Sequence, residues 1–258
     1  MLGKITKVRA WNAGNSYPEG IGNPPDSDPP PGLDWDFWLG PAPYRPYNKN
    51  RCIYNFRWFW DYSGGKLTDW GTHLLDIVLG ARDVEAPLAV TASGGKMALE
   101  DNRETPDTLE VVYEFPGFIC IYSDHEVNAH GIDQHGYGIQ FYGTEGTLYV
   151  NRSGYWLEPE MKKEGEHRVG RVPVIHSGGS KMNEPHVRNF LDCVKSREKP
   201  ICDVEIGHRT TTVPHLGNIA LWTKQRIEWD AEKERITNVP EANKHLQREY
   251  RKPWVLPS

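Results

Sequence analysis

The stretch Asp107-Thr108-Leu109-Glu110-Val111-Val112-Tyr113-Glu114-Phe115-Pro116-Gly117-Phe118-Ile119-Cys120-Ile121-Tyr122-Ser123-Asp124-His125-Glu126-Val127 decides the fold. Two runs rich in β-branched and aromatic residues, Asp107–Phe115 and Phe118–Val127, flank Pro116-Gly117, which is turn chemistry. Strands joined this tightly are antiparallel, because a parallel partner needs a long crossover. The same pattern spreads outward. Leu88–Ser93 precedes the pair, and Gly136–Tyr142, Thr147–Asn151 and Tyr155–Glu158 follow it, with Thr144-Glu145-Gly146 as another hairpin turn. Lys4–Trp11 alternates as an opening strand and Arg226–Asp230 closes the set. Helical spacing occurs at 68–79, Asn183–Ser196 and Val204–Lys224, the last interrupted by Pro214, with a short helix at Pro240–Gln247. The reading is one α+β domain over residues 1–258, a large, mainly antiparallel open sheet with helices packed on one face and no Rossmann domain. Within it, residues 13–50 form a long connection rich in proline and glycine. Its segment Leu33–Gly40 is too aromatic to be left in water and anchors the loop.

Composition excludes several classes of function. The 258 residues carry a formal charge of −5, which favours neither nucleic acid nor anionic membrane as partner. Four cysteines without Cys-x-x-Cys spacing read as free thiols in a reducing compartment. Met1-Leu2-Gly3-Lys4-Ile5 has no basic-then-apolar leader and no run reaches membrane length, so a cytoplasmic location is expected. The expected motif for a dinucleotide, Gly-x-Gly-x-x-Gly between strand and helix, is missing. Gly20-Ile21-Gly22 runs into Asn23-Pro24-Pro25, and Gly136-Tyr137-Gly138 sits in a strand. The chain is therefore expected to hold no cofactor of its own.

The chemistry concentrates in Ser63-Gly64-Gly65-Lys66-Leu67-Thr68-Asp69-Trp70-Gly71-Thr72-His73-Leu74-Leu75-Asp76. Thr68 can cap the helix that follows, Gly80 can close it, and Asp69, His73 and Asp76 fall at i, i+4 and i+7 on one face. A carboxylate and an imidazole one turn apart can orient a hydroxyl and pass a proton. A second cluster, His125, His130 and His135 beside Asp124, Glu126 and Asp133, reads as a substrate-facing polar loop rather than a metal site. His176 and Lys181, around Ser177-Gly178-Gly179-Ser180, are candidates to line the same pocket.

Gly64-Gly65-Lys66-Leu67-Thr68-Asp69-Trp70-Gly71-Thr72-His73-Leu74-Leu75-Asp76 resembles the Gly-Gly-Gly-x-Leu-x-Asp-x-Gly-x-His-x-x-Asp signature of the glucose-fructose oxidoreductase / inositol dehydrogenase / rhizopine catabolism (Gfo/Idh/MocA) family, in its bacterial branch. The likeness extends through Asp34-Trp35-Asp36-Phe37-Trp38-Leu39-Gly40-Pro41, Phe141–Leu148, His186–Val194 and Tyr250–Trp254. The resemblance is to the C-terminal, substrate-shaping and oligomerising domain alone. It implies Asp69 and His73 as the catalytic pair. Lys66, Asp76, His125, His130, His135, His176 and Lys181 are the expected substrate-binding set around a carbohydrate. NAD(P) would come only through a separate Rossmann-domain partner, because the family's catalytic lysine lies in a Glu-Lys-Pro motif of that domain. Glu198-Lys199-Pro200 repeats those letters in the wrong half of the molecule.

The expected function is thus the substrate-binding half of a carbohydrate oxidoreductase, split or truncated, forming a dimer or larger assembly through its open sheet face. Two alternatives stand beside it. One is a NAD-independent lyase, hydratase or hydrolase acting through Asp69 and His73, and the other is a non-catalytic carbohydrate-binding protein.

Overall fold

Alternation along the strands and short turns between them organise the chain around a single sheet. The structure is a computed structural model describing residues 1–179 and 182–256. The elements are β1 (Ile5–Ala13), α1 (Trp35–Leu39), α2 (Thr72–Arg82), β2 (Ala89–Gly95), β3 (Thr108–Phe115), β4 (Phe118–His125), β5 (Tyr137–Gly143), β6 (Gly146–Asn151), β7 (Gly154–Pro159), β8 (Met161–Glu164), β9 (His167–Gly170), β10 (Ile175–Gly178), α3 (Asn183–Ser196), α4 (Val204–Thr223), β11 (Ile227–Asp230) and β12 (Arg235–Ile236). Ten strands form one open sheet in the order β10-β7-β6-β5-β1-β4-β3-β2-β11-β12, and β8 and β9 make a separate hairpin. Every neighbouring pair is antiparallel except β1 with β4, which run parallel with Ala10 opposite Tyr122 and Asn12 opposite Asp124. The α+β open sheet expected from the sequence is therefore the observed architecture.

One face of the sheet is the core. Val8, Ala10, Val111, Tyr113, Cys120, Tyr122 and Ile139 are buried there against Leu74, Leu75 and Val78 of α2 and Val213, Leu216 and Ile219 of α4. Close approach of α4 depends on Gly217, where a Cβ would meet Tyr113 Oη at 2.7 Å. The pleat turns the intervening residues, Lys7, Arg9, Trp11, Ile119, Ile121 and Gln140, to the opposite face, on which no helix packs among the described residues. A second, smaller apolar cluster of Trp35, Leu39 and Cys52, with Trp38, Tyr47 and Tyr62 against it, holds down the 13–50 connection. The expectation that Leu33–Gly40 anchors this loop agrees with that packing, and α1 is the anchor's form.

Several local expectations need correction. Pro214 does not interrupt α4, which runs unbroken for 20 residues. The hydroxyls of Thr211 and Thr212 donate to the carbonyls of Gly207 and His208, and the buried face seats the helix on the sheet, so packing overrides the missing N–H. Thr68 is no helix cap; its hydroxyl accepts from Gly64 N and lies within bonding distance of Gly65 O. Gly80 does not end α2. The helix continues to Arg82 and stops at Asp83, whose positive φ of 51° returns its N–H to Leu79 O. The β8–β9 hairpin and β10 lie in segments to which the sequence reading gives no strand, because they are short, largely exposed and lack an apolar side to alternate with. The 240–247 segment is a 3-10 helix over Pro240–His245. No helix among the described residues is long and apolar enough to cross a membrane.

Candidate functional site

The signature helix does not begin as an α-helix. Residues Leu67–Gly71 form a π-turn that leads directly into α2. A π-turn adds a residue per turn and shifts the phase of the side chains it carries, and such turns concentrate at functional sites. It starts at Gly64-Gly65 for a steric reason. A Cβ on Gly64 would collide with Thr68 and Asn218, and Gly65 sits at a φ of +72°.

The phase shift breaks the single face predicted for Asp69, His73 and Asp76. The Arg57 guanidinium donates to Asp69 Oδ2 at 2.5 Å. Asp76 turns instead to α4, where Thr210 Oγ1 donates to its Oδ1 at 2.8 Å. His73 is exposed, with its ring edge against Trp70 at 6.4 Å between centroids. Asp69 is partly buried against Arg57, His73 is exposed one turn on, and Asp76 serves the α2–α4 contact.

Beneath the turn lies a layer of charge that joins Lys66, expected to bind substrate, to Glu126 and Asp124 of the polar cluster. Lys66 Nζ meets Glu126 Oε1 at 2.5 Å, with both side chains mostly buried, and lies over the Trp58 ring at 5.7 Å. Asp124, two residues earlier on the end of β4, is buried with Oδ1 unpartnered. Burial, and then the nearby Glu126 carboxylate, push the Asp124 carboxyl well above the usual carboxylate range, against the opposing pull of Lys66 and Arg103. Arg103 itself forms a wholly buried pair with Asp101 at 2.8 Å and stacks over Trp58 at 4.6 Å. Asp124 and Glu126 belong to the polar cluster noted beside His125, whereas Arg57 and Arg103 carried no spacing signal.

The histidines expected beside this pair lie elsewhere. His135 stacks on Tyr149 at 4.1 Å, Tyr149 lies tilted against Trp156 at 5.1 Å, and Trp156 stacks on His176 at 4.9 Å. This ladder lies on the helix-free face, because Tyr149 covers Gly138 beside Trp11, whereas α2 lies over Tyr122 on the other face. His125 ends β4 with the parity of that same helix-free face, and His130 is exposed in the following loop. His125, His135 and His176 therefore lie on the face opposite α2 and do not converge with Asp69 and His73. Lys181 lies outside the described residues. Among the described residues no three His, Cys, Asp or Glu side chains gather as a metal set.

The glycine pair nearest to a dinucleotide motif is already committed. Ile21 N donates to Asp101 Oδ2 at 2.8 Å, and a Cβ on Gly20 would strike the same carboxylate. The loop wraps a protein carboxylate, and residues 23–34 after it contain no helix, so it does not fit a pyrophosphate. Lys199 of Glu198-Lys199-Pro200 is largely exposed and pairs with Asp203, the N-cap of α4, at 2.5 Å.

An open sheet with α2 and α4 on one face and a Gly-Gly π-turn carrying Asp and His defines an α/β domain of the oxidoreductase C-terminal type. The family description "Oxidoreductase family, C-terminal alpha/beta domain" matches residues 8–137 and 168–256, and the chain belongs to this Gfo/Idh/MocA family. Among solved structures it is similar to the WlbA dehydrogenase from Bordetella pertussis in complex with NADH and UDP-GlcNAcA, at 14% identity and a TM-score of 0.54, covering 89% of this chain and 56% of that one. It is also similar to an NAD binding oxidoreductase from Klebsiella pneumoniae, at 15% identity and a TM-score of 0.56, covering 88% and 59%. A levoglucosan dehydrogenase in complex with NADH and levoglucosan matches at 13% identity and a TM-score of 0.54, covering 88% and 59%. The chain spans less than two thirds of each of these structures, and at such identities the likeness concerns the fold. No curated protein sequence matches.

Proposed function

We propose that this chain is the substrate-binding and oligomerising half of a carbohydrate oxidoreductase, working with a dinucleotide-binding domain that it does not itself contain. The observation that carries the reading is α3. Its Val187, Phe190, Leu191 and Val194 form an apolar stripe at helical spacing, each is 41–58% exposed, and no residue of the helix is buried. Such a stripe in water calls for a covering surface. A second domain of the kind that completes the longer solved relatives is the natural cover. The committed Gly20-Ile21-Gly22 loop supports the same division of labour.

The residues present supply the acid–base part of a carbohydrate oxidation. Arg57 fixes the Asp69 carboxylate, so one carboxylate oxygen can orient a substrate hydroxyl while the exposed His73 ring takes its proton. Lys66 and Glu126 tie the start of the π-turn to the end of β4 and hold that geometry. The helix-free sheet face, with Ile119 46% exposed, is the proposed surface for a dimer or larger assembly.

Calorimetry of the purified chain tests the reading. The expected result is no micromolar binding of NADH or NADPH, with binding of a monosaccharide or sugar nucleotide that Asp69→Asn and His73→Ala both abolish while the fold persists. Tight NADH binding, or sugar binding indifferent to both substitutions, overturns it. Light scattering at micromolar concentration should give a dimer or larger, and a clean monomer removes the assembly role.

A further inference from the structure

Two cavities of the chain that share lining residues include neither Asp69 nor His73. One, of ≈ 770 Å³, lies between the loop cluster around Trp38 and the C-terminal segment at Tyr250. The other, of ≈ 430 Å³, lies between the outer side of α4 and the 3-10 helix at Pro240–His245. Trp60 and Arg248 line both, so the cavities meet there as one groove. Each is within the range of roughly 300–1,000 Å³ typical of small-molecule sites.

The groove combines bare aromatic surface with balanced polarity. Trp60 and Trp222 cross edge to face at 5.0 Å, and Trp222 remains 36% exposed with its ring 5.2 Å from His245. Aromatic faces left uncovered in a concave site bind ligands that have an apolar side and a polar rim. The charged lining groups nearly cancel: Asp61, Glu234 and Glu249 stand against Lys244 and Arg248. His208 Nε2 is 2.5 Å from Glu234 Oε1. Burial, followed by Arg248, pushes the His215 ring toward its neutral form, and burial, followed by Lys244, does the same to His245. A neutral imidazole both donates and accepts a hydrogen bond. A phosphate-bearing ligand needs a net positive site, and a proline-rich peptide offers few donors to such a rim. A neutral polyhydroxylated chain satisfies donors, acceptors and aromatic faces together.

We propose that the groove running from Trp38 past Trp60 and Arg248 to Trp222 binds a neutral oligosaccharide, as a site separate from the Asp69–His73 turn. It extends over both cavities, so a chain of several sugars fills it where a monosaccharide fills one end. This inference does not depend on the oxidoreductase reading.

Titration of the purified chain with neutral gluco-, xylo- and N-acetylglucosamine oligosaccharides of one to six units, read by calorimetry and tryptophan fluorescence, tests it. The expected result is binding of a tetramer or longer chain at least tenfold tighter than its monomer. Trp222→Ala and, at an exposed position, Arg248→Ala should each weaken that binding several-fold with circular dichroism unchanged, while His73→Ala leaves it intact. Loss of binding in His73→Ala but in neither groove variant overturns the proposal, as does equal affinity for monomer and oligomer. So does absence of any binding at millimolar sugar, or preferential binding of a proline-rich peptide used as competitor.

Discussion

Helices α2 and α3 present apolar residues at similar helical spacing and meet opposite fates. In α2, Leu74, Leu75, Val78 and Leu79 are buried against the sheet and α4. In α3, Val187, Phe190, Leu191 and Val194 form the cleaner stripe, yet none is buried. Periodicity therefore states that a helix has a side to cover and says nothing about what covers it. For α2 the cover comes from segments distant in sequence, α4 above all, with β1 and β5. For α3 no described part of this chain provides one, and this is the main reason to look for a second domain.

Substitutions can break this comparison. The largest effect is expected beneath α2's leading turn, where Lys66→Met leaves Glu126 buried and unpaired. Removing one partner of a buried pair costs about 3–5 kcal/mol, so urea denaturation should show a loss on that scale. Leu75→Ala, at a side chain with no exposure, should cost about 2–5 kcal/mol by the same measurement through lost burial and a cavity. An unchanged midpoint in either variant would mean that α2 is not the core element described here.

A smaller effect, with a sign fixed by pH, is expected at Asp124. Its folded carboxyl holds the proton more tightly than the unfolded one. The stability it allows is full below the unfolded value of about 3.9 and declines as pH rises toward the raised folded value. Asp124→Asn removes this slope, so its melting temperature should gain on the parent between pH 5 and pH 7, by roughly 2–4 °C for each kcal/mol. A gap that narrows as pH rises would place the charged form in the native state.

The smallest effect on stability is expected in α3. Phe190→Ser should change unfolding free energy by no more than about 0.5 kcal/mol, as at other surface sites. The informative readout is association: if α3 is a docking face, the same substitution weakens binding to a dinucleotide-binding domain supplied in trans. A loss of several kcal/mol in the isolated chain would show instead that α3 already packs within it.

Much of the fold was legible because its signals are local. Pro116-Gly117 fixed an antiparallel pair, and the alternation in Thr108–Phe115 divided its residues between two faces before any neighbour was known. Pro214 misled because intrinsic helix preference is weaker than the packing of Val213, Leu216 and Ile219 on the sheet. The candidate site was half legible. Asp69 and His73 stand out by motif, and the sequence around them reveals the Gly-Gly entry. It does not reveal Arg57, 12 residues away, whose guanidinium holds Asp69, or Glu126, which meets Lys66 from the far end of a strand.

The sequence alone determined the α+β class, the boundaries of β1–β7 and β11 to within a few residues, the amphipathic faces and the family motif. These depend on periodicity, turn chemistry and residue type, which act over a few positions. Tertiary structure alone decided that a π-turn separates Asp76 from Asp69, that His135 and His176 stack on the sheet face opposite α2, and that Trp60 and Arg248 join two cavities. Each of these depends on which distant segments share space, and burial and electrostatics act through that shared space rather than along the chain.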